Sequence, residues 1–206
     1  MRNSTENKIN IILIRHGATA SNLESRYIGH TDEELCEEGI RNLKSMYREC
    51  PESKHMRCSN EKLCVSHVFS SPMKRCIQTA NIIFPGCEPV IIPQWKEIDF
   101  GDFEGKNYKD LENNADYQKW IDSNGTIAFP NGESREEFGE RTMQGFKECM
   151  DFCKKKRLKN IACVVHGGTI MAIASSITGK DYYSFMLKAG ENIHLEIDLE
   201  KLKFED

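Results

Sequence analysis

The apolar positions of the chain fall into short unbroken runs separated by stretches of helical period. Residues 9–14, INIILI, carry no alternation, and an unbroken run of that length predicts a central strand covered on both faces. A helix is expected next, with Thr19 or Ser21 as its cap. Leu35, Ile40, Leu43 and Tyr47 recur near helical spacing and predict an amphipathic helix over 35–48. VSHVF at 65–69 predicts a strand running straight into a helix, with Ser71 capping and Pro72 at the first helical position. On that helix Met73, Cys76, Ile77 and Ala80 form the inward stripe, and Arg75 lies off it. PVII at 89–92 predicts a short strand. Residues 97–133 are rich in Gly, Asn, Asp and aromatics and predict loop with a short helix near 108–121. Ser134 and Glu137 form a capping box for a long helix to about Lys155, whose stripe is Phe138, Phe146, Cys149, Met150 and Cys153. NIACVV at 160–165 is a second unbroken strand, followed by a helix over 169–178 that Gly179 ends. IHLEIDL at 193–199 alternates, as a strand with one solvated face does.

Strands alternating with helices predict an α/β fold, a three-layer α/β/α sandwich on a mostly parallel sheet. At 206 residues the chain fits a single domain, 1–206, and the polar, irregular stretch 50–64 predicts a surface insertion. Composition changes little: 39% hydrophobic and 29% charged residues are ordinary for a soluble globular protein. Charge changes more. A net charge of −4 argues against a general nucleic-acid or anionic-membrane surface, so any anion must be held by a local cluster of cations. No run approaches a membrane span, and the polar lead to residue 9 does not read as an export signal. Nine scattered cysteines, an odd number, predict reduced thiols in a cytoplasmic protein. His55-x2-Cys58 and Cys64-x2-His67 have a zinc-like look, but His67 belongs to a strand and the loop between is five residues. No metal site is expected there.

Two strand ends match. Arg15-His16-Gly17 follows one buried run and His166-Gly167-Gly168 the other, each before a helix. In open α/β sheets that carboxyl edge is where ligands bind, and helix N-termini there offer N–H groups to anions. The 65–69 strand brings Arg75 to the same edge. Two histidines and two arginines in an acidic protein describe a pocket for a doubly charged oxyanion, phosphate above all. A glycine after each histidine is expected to let the backbone approach the ligand.

RHGATASN at 15–22 resembles the RHGxTxxN signature of the histidine phosphatase (phosphoglycerate mutase-like) superfamily. SSPMKRCIQTA, EIDFGDFEG, PNGES and VVHGG are similar to its other landmarks and stand in the same order, from about residue 9 to 175. The resemblance implies a phosphoglycerate mutase-like fold and a metal-independent, cofactor-free enzyme acting on a small phosphorylated metabolite. In it His16 is the nucleophile, Arg15, Arg75 and His166 hold the phosphoryl oxygens, and Glu97 donates a proton to the leaving oxygen. Gly17, Thr19, Asn22, His30 and Gly167 are expected to line the pocket. Thr19 and Asn22 also read as helix caps, His30 as a plain loop histidine, and Glu104 is a second carboxylate in the acid's loop. Ala18, Cys36 and Cys76 depart from the family's usual residues.

The segment between Glu97 and His166 is short, which suggests an open pocket where water completes the reaction. The compact form resembles the branch of α-ribazole phosphatases and broad-specificity sugar-phosphate phosphatases. A phosphomonoesterase is therefore expected, as a monomer or homodimer, with no nucleic-acid or membrane partner. The rivals are a phosphoglycerate mutase and a phosphate-binding interaction module without catalysis.

Overall fold

β1 (Lys8–Arg15) lies inside the sheet, paired parallel to β4 (Asn160–Val165) on one side and antiparallel to β5 (Asn192–Asp198) on the other. β4 in turn pairs parallel with β2 (His67–Ser70), and β2 with β3 (Val90–Ile91). The order is β3-β2-β4-β1-β5. The structure, a computed structural model, describes residues 8–47, 65–202 and 204. The expected insertion at 50–64 lies outside those residues, as do His55, Cys58 and Cys64.

The unbroken runs of β1 and β4 have the reason their sequence implied. Ile9, Ile11 and Leu13 of β1, with Ile161, Cys163 and Val165 of β4, pack against Phe146, Cys149, Met150, Cys153, Ile170 and Ile173. Those partners belong to α5 (Arg135–Lys156) and α6 (Gly167–Thr178). The alternate residues Ile12, Ile14, Ala162 and Val164 face the opposite layer, with Leu43, Cys76, Ala80 and Ile83. These lie on α2 (Glu37–Met46) and α3 (Lys74–Ile83). The result is the expected three-layer sandwich. Each large aliphatic side chain so buried contributes about 1.5–3 kcal/mol on leaving water. Cys76, Cys149, Cys153 and Cys163 are free and buried, filling these layers as small apolar groups. Among the described residues no helix is long and apolar enough to cross a membrane.

Local signals set several ends. Ser134 accepts from the Glu137 N–H while Glu137 accepts from the Ser134 N–H, the reciprocal cap expected of α5. Gly179, with φ 68°, ends α6. α1 (Ala20–Leu23) is a single turn capped by Thr19 and Asn22 in the same reciprocal way. Cys36 caps α2 through its sulfur, which accepts from the Gly39 N–H at 3.3 Å. The short helix of the 97–133 loop, α4 (Ala115–Asp122), is narrower than expected, because Asn114 caps it and 108–113 are turns.

Several starts differ from expectation: α6 begins at Gly167 rather than 169, α2 at Glu37 rather than 35, and α3 was misplaced as well. α3 begins at Lys74 with Met73 as its N-cap, so Ser71 and Pro72 stay in the turn. The Ser71 hydroxyl is committed to His166 instead. Arg75, expected off the inward stripe, is 1% exposed. It occupies the first turn of α3 at the end of β2 and reaches across to the loop after α1.

Candidate active site

Strand register assembles the site. Arg15 of β1 is level with Val165 of β4, and Ser70 of β2 with Val164. The next residues, His16, His166 and Ser71, therefore leave three adjacent strands together at the carboxyl edge. The His16 N–H donates to the Val165 carbonyl at 2.9 Å and the Ser71 N–H to the Val164 carbonyl at 3.0 Å, extending the ladder by one step. The two imidazoles meet edge to face with centroids 5.1 Å apart.

His16 has a defined tautomer. Its Nδ1 lies 2.7 Å from the Gly17 carbonyl, which can only accept, so Nδ1 carries the proton and Nε2 keeps its lone pair. Burial holds the His16 pKa well below its ordinary value, and Arg75 and then Arg15 push it the same way. The ring is neutral at pH 7. His166 is lowered well below its ordinary value too, by burial, then by Arg75, His16 and Arg15. Its Nε2 lies 2.7 Å from the Ser71 hydroxyl and 3.5 Å from the Cys76 sulfur. Burial pushes the Cys76 thiol up to about 12, so it stays a neutral neighbour.

The guanidinium groups are anchored by part of their donors and hold others in reserve. Arg75 donates Nη1–H to the Thr31 carbonyl at 2.9 Å and Nη2–H to the Gly29 carbonyl at 2.8 Å. Arg15 donates through Nη1 to the Leu187 carbonyl. The Nε atoms of both are buried without a hydrogen-bond partner among the described residues. Buried charged donors left over in this way fit an oxyanion, which supplies several acceptors to a planar fork.

Glu97 closes the other side. It sits between the 3-10 turn Pro93–Trp95, anchored by the fully buried Trp95, and the 3-10 turn Gly101–Phe103. Its carboxyl oxygens accept from the Ile98 N–H at 3.0 Å and the Gly168 N–H at 3.3 Å. Burial nevertheless raises its pKa, outweighing those N–H groups and both arginines. The loop is strapped from behind by Arg141 of α5, which donates to the carbonyls of Gln94, Lys96 and Glu97 at 2.6, 3.0 and 3.4 Å. Arg141 also pairs with Glu133 at 2.7 and 2.9 Å.

The remaining expected residues sort by contact. Thr19 is fully buried and, with Asn22, spends its side chain on the α1 cap. His30 is exposed and lies 3.4 Å from the Asp99 carboxylate, not against the histidines. Glu104 accepts from the Gly29 and Thr31 N–H groups, at 2.9 Å each, and so braces the loop that Arg75 holds from its carbonyl side. At Gly17 a second reason for glycine shows: a Cβ there would lie 2.5 Å from Leu43 Cδ1, so the leucine of α2 would have to shift. Gly167 lies against Arg15, where a Cβ would make an ordinary 3.5 Å contact. Gly168 is the constrained one: its Cβ would fall 2.4 Å from Glu97 Oε1. Ser71, Gly168 and Arg141 were not among the expected site residues. The second Ser of the SSP triplet and the second Gly of HGG carried a signal; Arg141 carried none.

Beside Arg15, Glu97, Gly167 and Gly168 opens a cavity of about 270 Å³, walled mainly by aromatic and sulfur-bearing side chains. Among the described residues no cluster of three or more His, Cys, Asp or Glu is placed to hold a metal ion.

Comparison with known proteins agrees with the fold and names the family. A putative phosphoserine phosphatase 2 of Hydrogenobacter thermophilus is 30% identical, over 82% of this chain and 78% of its own length. A probable phosphoglycerate mutase GpmB of Cronobacter sakazakii is 28% identical, over 85% and 78%. A solved structure of a putative alpha-ribazole-5'-P phosphatase from Escherichia coli superposes with a TM-score of 0.77 at 22% identity, covering 92% of this chain and 90% of that one. At that identity the likeness is one of fold. The profile of the histidine phosphatase superfamily, branch 1, matches residues 11–201 and so takes in both histidine-bearing strand ends, Arg75 and Glu97; the chain belongs to that superfamily.

Proposed function

We propose that the protein is a phosphomonoesterase that works through a phosphohistidine on His16 and needs no metal ion. The observation that carries this reading is the Nδ1–H···O=C bond of His16 to Gly17, which leaves a buried, neutral Nε2 lone pair between two arginines. The phosphoryl group of a small metabolite is held by Arg15, Arg75 and His166. His16 Nε2 attacks phosphorus as the bond to the ester oxygen breaks, and Glu97 gives its proton to the departing alkoxide. The Glu97 carboxylate then takes a proton from water as that water attacks phosphorus and the P–N bond breaks. Phosphate leaves and both groups return to their starting states. Charge neutralisation by guanidinium groups and in-line positioning supply the catalysis.

Relatives named as phosphoserine phosphatases and phosphoglycerate mutases give two outcomes for the same intermediate. The cavity beside Glu97 favours hydrolysis, because it gives water a path to the phosphohistidine. Conversion of 3-phosphoglycerate to its 2-isomer without phosphate release would favour the mutase reading instead. Free buried thiols support a reducing compartment, the cytoplasm, as its place.

The test is to mix enzyme with p-nitrophenyl phosphate, quench in alkali and map the label by mass spectrometry. The expected result is an acid-labile phosphate on residue 16, steady phosphate release in EDTA, and neither in His16→Ala. Hydrolysis that survives His16→Ala refutes the mechanism. Stoichiometric binding of inorganic phosphate without any turnover supports a non-catalytic module.

A further inference from the structure

The cavity beside the phosphoryl site has a chemistry of its own. Its walls are Phe100, Trp120 and Phe129 from one loop, and Tyr182, Tyr183 and Met186 from the segment after α6. Among the described residues no Ser, Thr, Asn, Gln or Asp lines it, and the charged ones are Arg15, Glu97 and Arg135. Arg15 and Glu97 belong to the phosphoryl site. Arg135 lies over the Tyr182 ring, its guanidinium carbon 5.4 Å from the centroid.

We infer that the leaving group of the substrate carries a planar, apolar ring that seats in this cavity. The inference rests on the phosphomonoesterase reading and extends it to substrate class. Three observations point the same way. Glu97, the group placed to protonate the leaving oxygen, stands at the boundary between the two sites, so whatever departs lies on the cavity side. Trp120 and Phe129 stack at 29° with centroids 5.0 Å apart, and Trp120 stacks on Tyr117 at 12°, which braces a flat wall from behind. At the rim Met186, 65% exposed, is the most exposed large apolar side chain among the described residues, and Tyr183 beside it is 41% exposed, as side chains awaiting a cover are.

The competing leaving groups fit poorly. A polyol needs paired donors and acceptors around its ring, and away from Arg15 and Glu97 the cavity offers the Arg135 guanidinium, the Trp120 indole N–H and two phenols, of which Tyr182 already donates to the Gly168 carbonyl. A serine or glycerate carboxylate could reach Arg135, yet it would leave the aromatic wall against water. An aromatic ring uses the wall through area and stacking together.

The experiment compares primary-alcohol esters whose leaving-group acidity is nearly matched, so that rate differences report binding. These are 2-phenylethyl phosphate, n-propyl phosphate and O-phosphoserine. The inference expects kcat/KM for the phenylethyl ester to exceed the propyl ester by about tenfold or more, the range one well-filled apolar pocket gives. It should exceed phosphoserine at least as much. Met186→Ser and Tyr183→Ser, both at exposed positions, should shrink the phenylethyl-to-propyl ratio towards one. Phosphoserine turned over as well as the phenylethyl ester, or a ratio unmoved in both variants, overturns the inference while leaving phosphatase action intact. Hydrolysis of none of the three esters, nor of p-nitrophenyl phosphate, overturns the underlying reading as well.

Discussion

A carbonyl oxygen decides what His16 can do. Because Gly17 C=O fixes the proton on Nδ1, the nucleophile needs no base to deprotonate it, only protection from protonation by its surroundings. Burial and two guanidinium groups give that protection, and the same burial keeps Glu97 protonated above the ordinary carboxylate range. The two shifts run in opposite senses and assign the roles of acid and nucleophile. Glu97→Gln should separate the half-reactions. With p-nitrophenyl phosphate, whose leaving group needs little protonation, the variant should still release about one equivalent of nitrophenolate in a burst. It should then stall, because the amide cannot activate water; alkyl phosphates should show neither phase. Rapid-mixing absorbance measures the burst, and full steady turnover of an alkyl ester by the variant would refute the role. His16, His166 and Arg15 were readable as candidates because strand ends mark them, whereas Glu97 was named only through the resemblance of EIDFGDFEG to the family's landmark. Arg141 was not readable, since its three backbone acceptors come from a loop 44 to 47 residues away and leave no local trace. Ser71 was misread because a Ser before a Pro is a good cap, and only the register of β2 against β4 shows its hydroxyl going to His166.

Elements were legible where period and caps agreed. The stripe and capping box of α5 fixed it almost to the residue, and the two unbroken strands were placed as observed. α3 was misplaced at its start by two residues, and the burial of Arg75 was misjudged because its guanidinium is held from that first turn by the carbonyls of Gly29 and Thr31, which leave no trace near it in sequence. The antiparallel pairing of β5 with β1 was not stated, since alternation reveals a half-solvated strand but not its direction. The start of α6 shows what element geometry asks of sequence. Gly167 and Gly168 open the same helix and look alike, yet a methyl at 167 meets Arg15 at an ordinary 3.5 Å and a methyl at 168 meets the Glu97 carboxyl at 2.4 Å. Gly168→Ala should therefore displace the acid and lower kcat for alkyl phosphates by about 10²-fold, the usual cost of a misplacement near 1 Å. Gly167→Ala should stay within a few-fold of the parent. Both should melt within a few degrees of it by circular dichroism. Equal losses in the two variants would mean that the helix start tolerates no side chain at all, and that Glu97 is not the reason.

Over the whole molecule, an acidic chain concentrates two cations and two neutral imidazoles at one sheet edge, and stability must carry the consequence. In the unfolded chain His16 and His166 titrate near 6.5, whereas in the folded protein both pKa values lie well below that. As pH falls through 6.5 the unfolded state therefore binds more protons than the folded one, and folding stability drops. Glu97 has the opposite sign: raised on folding, it adds stability that is full below 4.5 and lost as pH rises through its folded value. Between pH 7 and 5 two histidines oppose one carboxyl, so Tm should fall on acidification, and His16→Asn should flatten the slope. Phosphate acts at the same edge. At a hundred times its dissociation constant it should add about 2.7 kcal/mol to stability by mass action. Thermal melts from pH 5 to 7, with and without phosphate, check both effects. A parent slope no steeper than that of His16→Asn would mean that this imidazole does not have the depressed affinity for protons its burial implies. A phosphate shift that persists in Arg15→Met and Arg75→Met alike would place the anion elsewhere.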